Sequence, residues 1–184
     1  MDTVEVSTSV YLPPEEVYAF LLDFPGYGHY SEHLQEVRRY GDGDPGTEYE
    51  LDFAWWKLSY TARSRVTNTE PPNRIDWSVV KDVDAVGHWF VQPLEDPDPS
   101  EVPAGEPPAD APADPPVTQV TFRVEYAAES AREGTFDLPR FVSLDWVIEK
   151  LKPKVETEAE RIVRRIVADL EGQRREVDLE IETR

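Results

Sequence analysis

The sequence predicts an α+β fold in which a strongly curved, seven-stranded antiparallel sheet wraps around a long C-terminal helix, with two short helices between strands 1 and 2. From Pro153 on, Val155, Ala159, Ile162, Val163, Ile166, Val167 and Leu170 recur at three- and four-residue steps, which paints one apolar stripe along a helix over 143–172. Upstream, short segments alternate apolar and polar residues with period two, as strands with one wet face do. The stripe must be covered, and only a bent antiparallel sheet offers enough apolar face. A cavity between sheet and helix follows.

Each element has a local cause. Residues 3–12 alternate, with Val4, Val6, Thr8 and Val10 on one face, and predict the first strand. Pro13 and Pro14 end it. Glu15 and Glu16 suit the positive end of a helix dipole, and Val17, Phe20, Leu21 and Phe24 follow at helical spacing until Pro25 and Gly26 stop the helix. Residues 27–33 predict a second, short helix. A strand over 34–40 meets the turn Gly41-Asp42-Gly43-Asp44-Pro45-Gly46, and Tyr49, Leu51 and Phe53 alternate with Glu48, Glu50 and Asp52 on the return. The next strand points Leu58, Tyr60, Ala62, Ser64 and Val66 inward and Ser59, Thr61, Arg63, Arg65 and Thr67 outward. Pro71, Pro72 and Asn73 turn the chain, after which Ile75, Trp77 and Val79 face in. Over 86–94 the phase is ambiguous between Trp89 with Val91 and His88 with Phe90, and Trp89 is favoured. Val120, Phe122, Val124, Tyr126 and Ala128 alternate with polar residues in the seventh strand.

Residues 1–175 are expected to form a single domain. Within it, 95–116 holds eight of the 17 prolines, seven acidic residues and no basic or aromatic residue. Such a stretch lacks the apolar surface that would offset its ordering entropy, so it is expected to be a disordered, solvated insert unable to pack. The tail, 176–184, alternates Val177, Leu179 and Ile181 with acids and either pairs as an edge strand or frays.

Composition excludes several functions. There is no cysteine, hence no disulfide, thiolate metal site or cysteine nucleophile, and a reducing, cytoplasmic setting is expected. No apolar run approaches the roughly 20 residues needed to cross a bilayer. With 38 Asp plus Glu against 19 Lys plus Arg, the net charge of -19 argues against nucleic acid as a partner. This acidity, with Arg outnumbering Lys, resembles the proteins of salt-loving archaea, and a halophilic source is expected.

His29-Tyr30-Ser31-Glu32-His33 matches the spacing H-x-x-E-H, which on a long helix would gather two imidazoles and a carboxylate around zinc. Here it follows Pro25-Gly26-Tyr27-Gly28 in a single turn, so surface or cavity-mouth histidines are the better reading and no metal is expected. The 41–46 loop lacks the bidentate glutamate of a calcium site. No phosphate cradle, nucleophile elbow or catalytic triad spacing is present. What stands out is aromatic load at inward positions: Tyr49, Phe53, Trp55, Tyr60, Trp77, Trp89, Phe122 and Tyr126, with Trp146 from the helix. Such residues serve as core, or they line an apolar pocket with a few polar groups.

The opening, from Val6-Ser7-Thr8-Ser9-Val10 through Pro13-Pro14-Glu15-Glu16-Val17 to Leu22-Asp23-Phe24, resembles the START-like (SRPBCC) superfamily, closest to its polyketide cyclase/dehydrase and coenzyme Q-binding protein families. Trp89-Phe90-Val91-Gln92-Pro93 and Val120-Thr121-Phe122 are similar to later strands of those families. The resemblance implies a helix-grip fold whose cavity takes lipids, sterols, polyketides or quinones. Gly28-His29-Tyr30-Ser31-Glu32-His33 departs from the quinone binders, which keep a proline-aromatic-proline run there.

The expected function is therefore noncatalytic binding or carriage of a hydrophobic small molecule, lined by Phe53, Trp55, Tyr60, Trp77, Trp89, Phe122, Tyr126, Trp146, Ile162 and Ile166, with no cofactor and with transient membrane contact allowed for ligand exchange. The alternative is a polyketide cyclase or dehydratase in which Tyr60, Tyr126, His88 or Arg63 assists proton transfer. Pro153 is expected to divide the long helix, leaving 143–151 as a lid.

The charge count predicts that melting temperature rises steeply with KCl, because the Debye length shrinks from about 30 Å at 0.01 M to about 3 Å at 1 M and screens self-repulsion. Thermal melts across that range check it; a flat profile refutes it.

Overall fold

The computed structural model describes residues 1–55, 58–127, 130 and 144–184, with backbone alone at 144–152 and 155. Among them run eight strands rather than seven: β1 (Asp2–Val10), β2 (Leu34–Tyr40), β3 (Glu48–Trp55), β4 (Leu58–Glu70), β5 (Arg74–Val79), β6 (Asp84–Leu94), β7 (Val117–Ala127) and β8 (Glu180–Thr183). All neighbours pair antiparallel in one open sheet, ordered β2-β3-β4-β5-β6-β7-β1-β8. Helix α1 (Pro14–Leu22) and a 3₁₀ helix (Phe24–His29) lie between β1 and β2, and helix α2 (Leu144–Glu171) follows β7.

The differences from expectation have local reasons. Pro25 and Gly26 do not stop a helix but sit inside the 3₁₀ turn, where the Gly26 N–H donates to Asp23 O at 3.0 Å. A Cβ at Gly26 would lie 2.8 Å from the Asp23 carboxylate, the end of a side chain that would have to swing aside. The helical turn ends at His29 rather than reaching residue 33. The tail supplies the extra strand: Val6 pairs with Ile181, and Thr3 and Arg184 exchange backbone hydrogen bonds at 2.8 and 2.9 Å, which covers the edge that β1 would otherwise expose. Helix α2 runs as one element through Pro153, and the expected division there is not observed.

The acidic insert forms no helix or strand, yet part of it packs. Tyr11 Oη donates to Pro103 O (3.3 Å) and Gly105 O (3.1 Å), Arg175 Nη1 donates to Ala104 O (3.1 Å), and Gln173 Nε2 donates to Glu106 O (3.1 Å). Main-chain carbonyls do this docking, so the lack of apolar side chains does not prevent it.

The core occupies one end of the sheet's concave face. Tyr49, Val66, Ile75 and Val91 are at most 2% exposed there, covered by Val17, Tyr18 and Leu21 of α1, Phe24 and Val167 of α2. Phe24 and Tyr49 rings sit 4.8 Å apart. Register shifts at Leu34/Glu36 and Val66/Asn68 mark bulges, which bend strands and increase twist.

The convex face is polar and cross-paired. Arg38 bridges Glu36, Glu50 and Asp52, while Glu48 holds Arg63 and Arg65. A row runs across five strands as Asn68, Asp76, His88, Arg123 and Glu5. His88 Nδ1 lies 2.6 Å from Asp76 Oδ1, and Arg74 Nε donates to the same oxygen at 2.7 Å. Burial pushes the Asp76 carboxyl up, but hydrogen bonds from His88, Arg74 and Asn68 outweigh it and hold the group below the ordinary carboxylate range.

Two predictions follow from these contacts. A carboxyl depressed in the folded state contributes stability that is present above its unfolded value of 3.8 and lost as pH falls through the lower folded value. Asp76→Asn should therefore flatten the acid limb of a stability-against-pH curve below about pH 4; a limb identical to wild type contradicts the assignment. Arg175 Nη2 also bonds the buried Glu171 carboxylate at 2.8 Å. Arg175→Ala strands that carboxylate and should cost about 3–5 kcal/mol in denaturant unfolding, whereas Arg175→Ala costing under about 1 kcal/mol, the range of an exposed pair, would show that the pair is solvated.

Candidate functional site

The concave face divides into a packed end and an open end. On β3 the inward residues go from Tyr49, 2% exposed, to Phe53, 40% exposed. On β4 they go from Val66 at 1% to a half-buried Tyr60, and on β5 from Ile75 at 0% to half-buried Trp77 and Val79. On β6 and β7 the same step separates Val91 and Thr118 from Trp89, Phe122 and Tyr126, with the small Ala85 and Gly87 buried beside them. Phe53 pairs directly with Tyr60, and Trp89 with Phe122, so aromatics stand on the inward face of all five strands as a β3–β4 pair and a β5–β7 group. The inward phase of β6 is settled in favour of Trp89.

The middle of the patch is held tightly. Trp89 and Phe122 rings are 4.6 Å apart and tilted by 50°, and Trp77 stacks near Phe122 at 6.0 Å and 19°. Trp77 lies flat over Gly87, where a Cβ would come within 2.0 Å of the indole ring, so only glycine permits this ring position. Sequence reasoning passed over Gly87; a lone glycine inside a strand pattern was the available signal. Tyr60 is pushed up from its ordinary pKa by burial first and by the Asp82 carboxylate second.

Other expected site residues fall elsewhere. Trp55 stacks on His33 at 4.1 Å and 7°, at the open end of β3 beside Phe53. Ile162 and Ile166 are half-buried, but the α2 residues that join the core are Val163, Val167 and Leu170, one step around the helix. The side chain of Trp146 lies outside the described residues. Arg63 and His88 are on the convex face, paired with Glu48 and Asp76, so neither reaches the aromatic patch. Arg39, opposite Tyr49 on edge strand β2, is a cation on the concave side that sequence reasoning missed, and it is exposed. His33 is taken up by Trp55 and the Ala54 carbonyl, and among the described residues no group of three His, Asp or Glu side chains could hold a metal ion.

The described residues also border a polar groove of about 1040 Å³, lined by His29, Tyr30, Arg164, Arg165, Asp169 and Arg174 among others. Tyr30 Oη bonds the Asp169 carboxylate, and that bond, with some burial, pushes the phenol up to about 12. This groove is charged and distinct in lining from the aromatic patch.

The profile of the family described as polyketide cyclase/dehydrase and lipid transport matches residues 1–167. The chain belongs to that family. Its fold is similar to solved structures of family-like proteins: the Zhui aromatase/cyclase from a Streptomyces species, with TM-score 0.61 at 16% identity over 93% of this chain and 94% of that one. A second is the di-domain aromatase/cyclase StfQ from the steffimycin biosynthetic pathway, with TM-score 0.56 at 11% identity over 92% of this chain and 51% of that one. The chain thus spans about half of the di-domain protein. At these identities the likeness establishes the fold alone. No curated protein matches by sequence. No helix among the described residues is long and apolar enough to cross a membrane.

Proposed function

We propose that this polyketide cyclase/dehydrase and lipid transport family member binds and carries a hydrophobic small molecule, of lipid, quinone or polyketide type, against the open end of its concave face. The observation that carries the proposal is the patch of half-exposed aromatics, Phe53, Tyr60, Trp77, Trp89, Phe122 and Tyr126, beyond a core that is otherwise sealed. Aromatic side chains left partly uncovered on the inner face of a sheet forfeit burial free energy, of roughly 25 cal/mol per Å² of apolar surface, which an apolar occupant restores. Membership of the family supports the same reading.

A second reading is cyclisation and dehydration of a flexible substrate on the same surface. The two aromatase/cyclase neighbours favour it, as do the inward hydroxyls of Tyr60 and Tyr126. The convex placement of Arg63 and His88 removes two of the groups that would have assisted it.

Titration with the neutral fluorescent probe N-phenyl-1-naphthylamine in molar KCl should give saturable, single-site binding with Kd of about 1–100 μM. Phe122→Ala should weaken it at least about fivefold. Non-saturating fluorescence, or affinity indifferent to Phe122→Ala and Trp89→Ala, would remove the proposal. Incubation with a linear poly-ketone thioester, followed by mass spectrometry for loss of one water, separates the readings.

A further inference from the structure

Trp77 carries a buried indole N–H with nothing to donate to. Its Nε1 is sealed from solvent, and among the described residues no acceptor lies within hydrogen-bond reach. Its cross-strand neighbours Val66 and Gly87, and Val124 one strand further, offer no polar side-chain atom. The contrast with Thr118 is direct: that hydroxyl, fully buried at the packed end, donates to Leu12 O at 2.6 Å.

Buried indoles usually find a partner, and an unpaired donor disfavours the state that contains it by roughly five- to hundredfold. A phenylalanine would fill this position without that penalty. Nor can the ring swing away to find an acceptor, because it is pressed on Gly87 and lies within 19° of the Phe122 plane.

We infer that Trp77 Nε1 is the donor for an oxygen atom of the bound molecule, so that the ligand is a flat, conjugated ring system bearing a carbonyl or ring oxygen rather than a saturated acyl chain. This rests on the binding reading above and narrows it. The near-parallel Trp77 and Phe122 rings offer the π surface for such a ring system, and the N–H fixes its orientation. Because the donor is already dry, an incoming oxygen displaces no water from it and has only to part the groups packed at the indole edge.

The test uses two probes of one carbon skeleton, 9-fluorenone and fluorene, which differ by the carbonyl. Equilibrium dialysis of the full chain gives the preference of each protein for fluorenone over fluorene. That preference should be about fivefold greater in wild type than in Trp77→Phe, which keeps an aromatic ring and loses the donor. Without any substitution, the Trp77 indole proton resonance should move downfield on adding fluorenone and stay in place with fluorene, so the inference remains testable if the variant does not fold. Equal preference in both proteins, with an unmoved indole resonance, overturns the inference and leaves hydrophobic binding standing. Failure of wild type to bind either probe overturns both.

Discussion

A single ion pair fixes where the long helix sits. Arg175 grips Glu171 through two hydrogen bonds, 2.9 and 2.8 Å, with the side chains 2% and 0% exposed. Two charges taken out of water are tolerable only when their remaining hydrogen-bonding capacity is met. Here it is met by three further stretches of chain. Arg175 also donates to Ser9 O, Ala104 O and Glu176 O, its guanidinium lies 5.3 Å from the Tyr11 ring centre, and the Tyr11 N–H reaches Glu171 at 3.3 Å. Gly172, with φ of +73°, supplies the left-handed turn that brings Arg175 back over the helix end. The exit of β1, the acidic insert, the end of α2 and the start of the tail are thereby one joint. Val177 is buried just beyond it, and β8 follows.

That joint explains why the concave face is packed at one end only. The anchored end of α2 contributes Val167 to the same cluster that α1 fills with Val17, Tyr18 and Leu21. Strands β3 to β7 extend past this plug, and their inward side chains there are the aromatics. Anchoring and opening are consequences of one geometry. The C-terminal end of the helix adds Val167, with Val163 and Leu170 against it, to the cluster of Val66, Ile75 and Val91, while Phe53 is 40% exposed and Tyr60 half-buried.

Much of this was legible in the residues. Period-two alternation gave β1, β3, β7 and the inward set on β4, because a strand with one wet face has no other way to arrange its side chains. Three things were hidden for definable reasons. The docking of the insert uses the carbonyls of Pro103, Ala104 and Gly105, and every sequence has carbonyls, so composition is silent about it. Helical spacing placed Ile162, Val163, Ile166 and Val167 within one broad stripe, and choosing the half that meets the core requires the helix rotation that the Arg175 joint sets. The hollow beside the helix was inferred from the apolar stripe, the alternating strands, the family resemblance and the aromatic load, and none of these separates a filled core from a lined hollow. The burial gradient along β3 to β7 does.

The charge of the protein bears on what the aromatic face can hold. Arginines of the sheet are spent on the convex side, where Arg38, Arg63, Arg65 and Arg74 each meet a carboxylate, and the excess acid makes the net charge -19. An anionic lipid would approach against that field and then lie on a surface of rings, with Arg39 at the rim as the cation nearest in register. At low ionic strength the opposition reaches over about 30 Å, and in molar salt over about 3 Å. A neutral ligand meets no such barrier at either extreme. Uncharged, ring-bearing molecules are consequently the occupants for which surface charge and aromatic lining pull the same way. In them, hydrogen bonding rather than ion pairing has to set orientation, which places the demand on the few polar atoms the concave face retains, Trp77 Nε1 first among them.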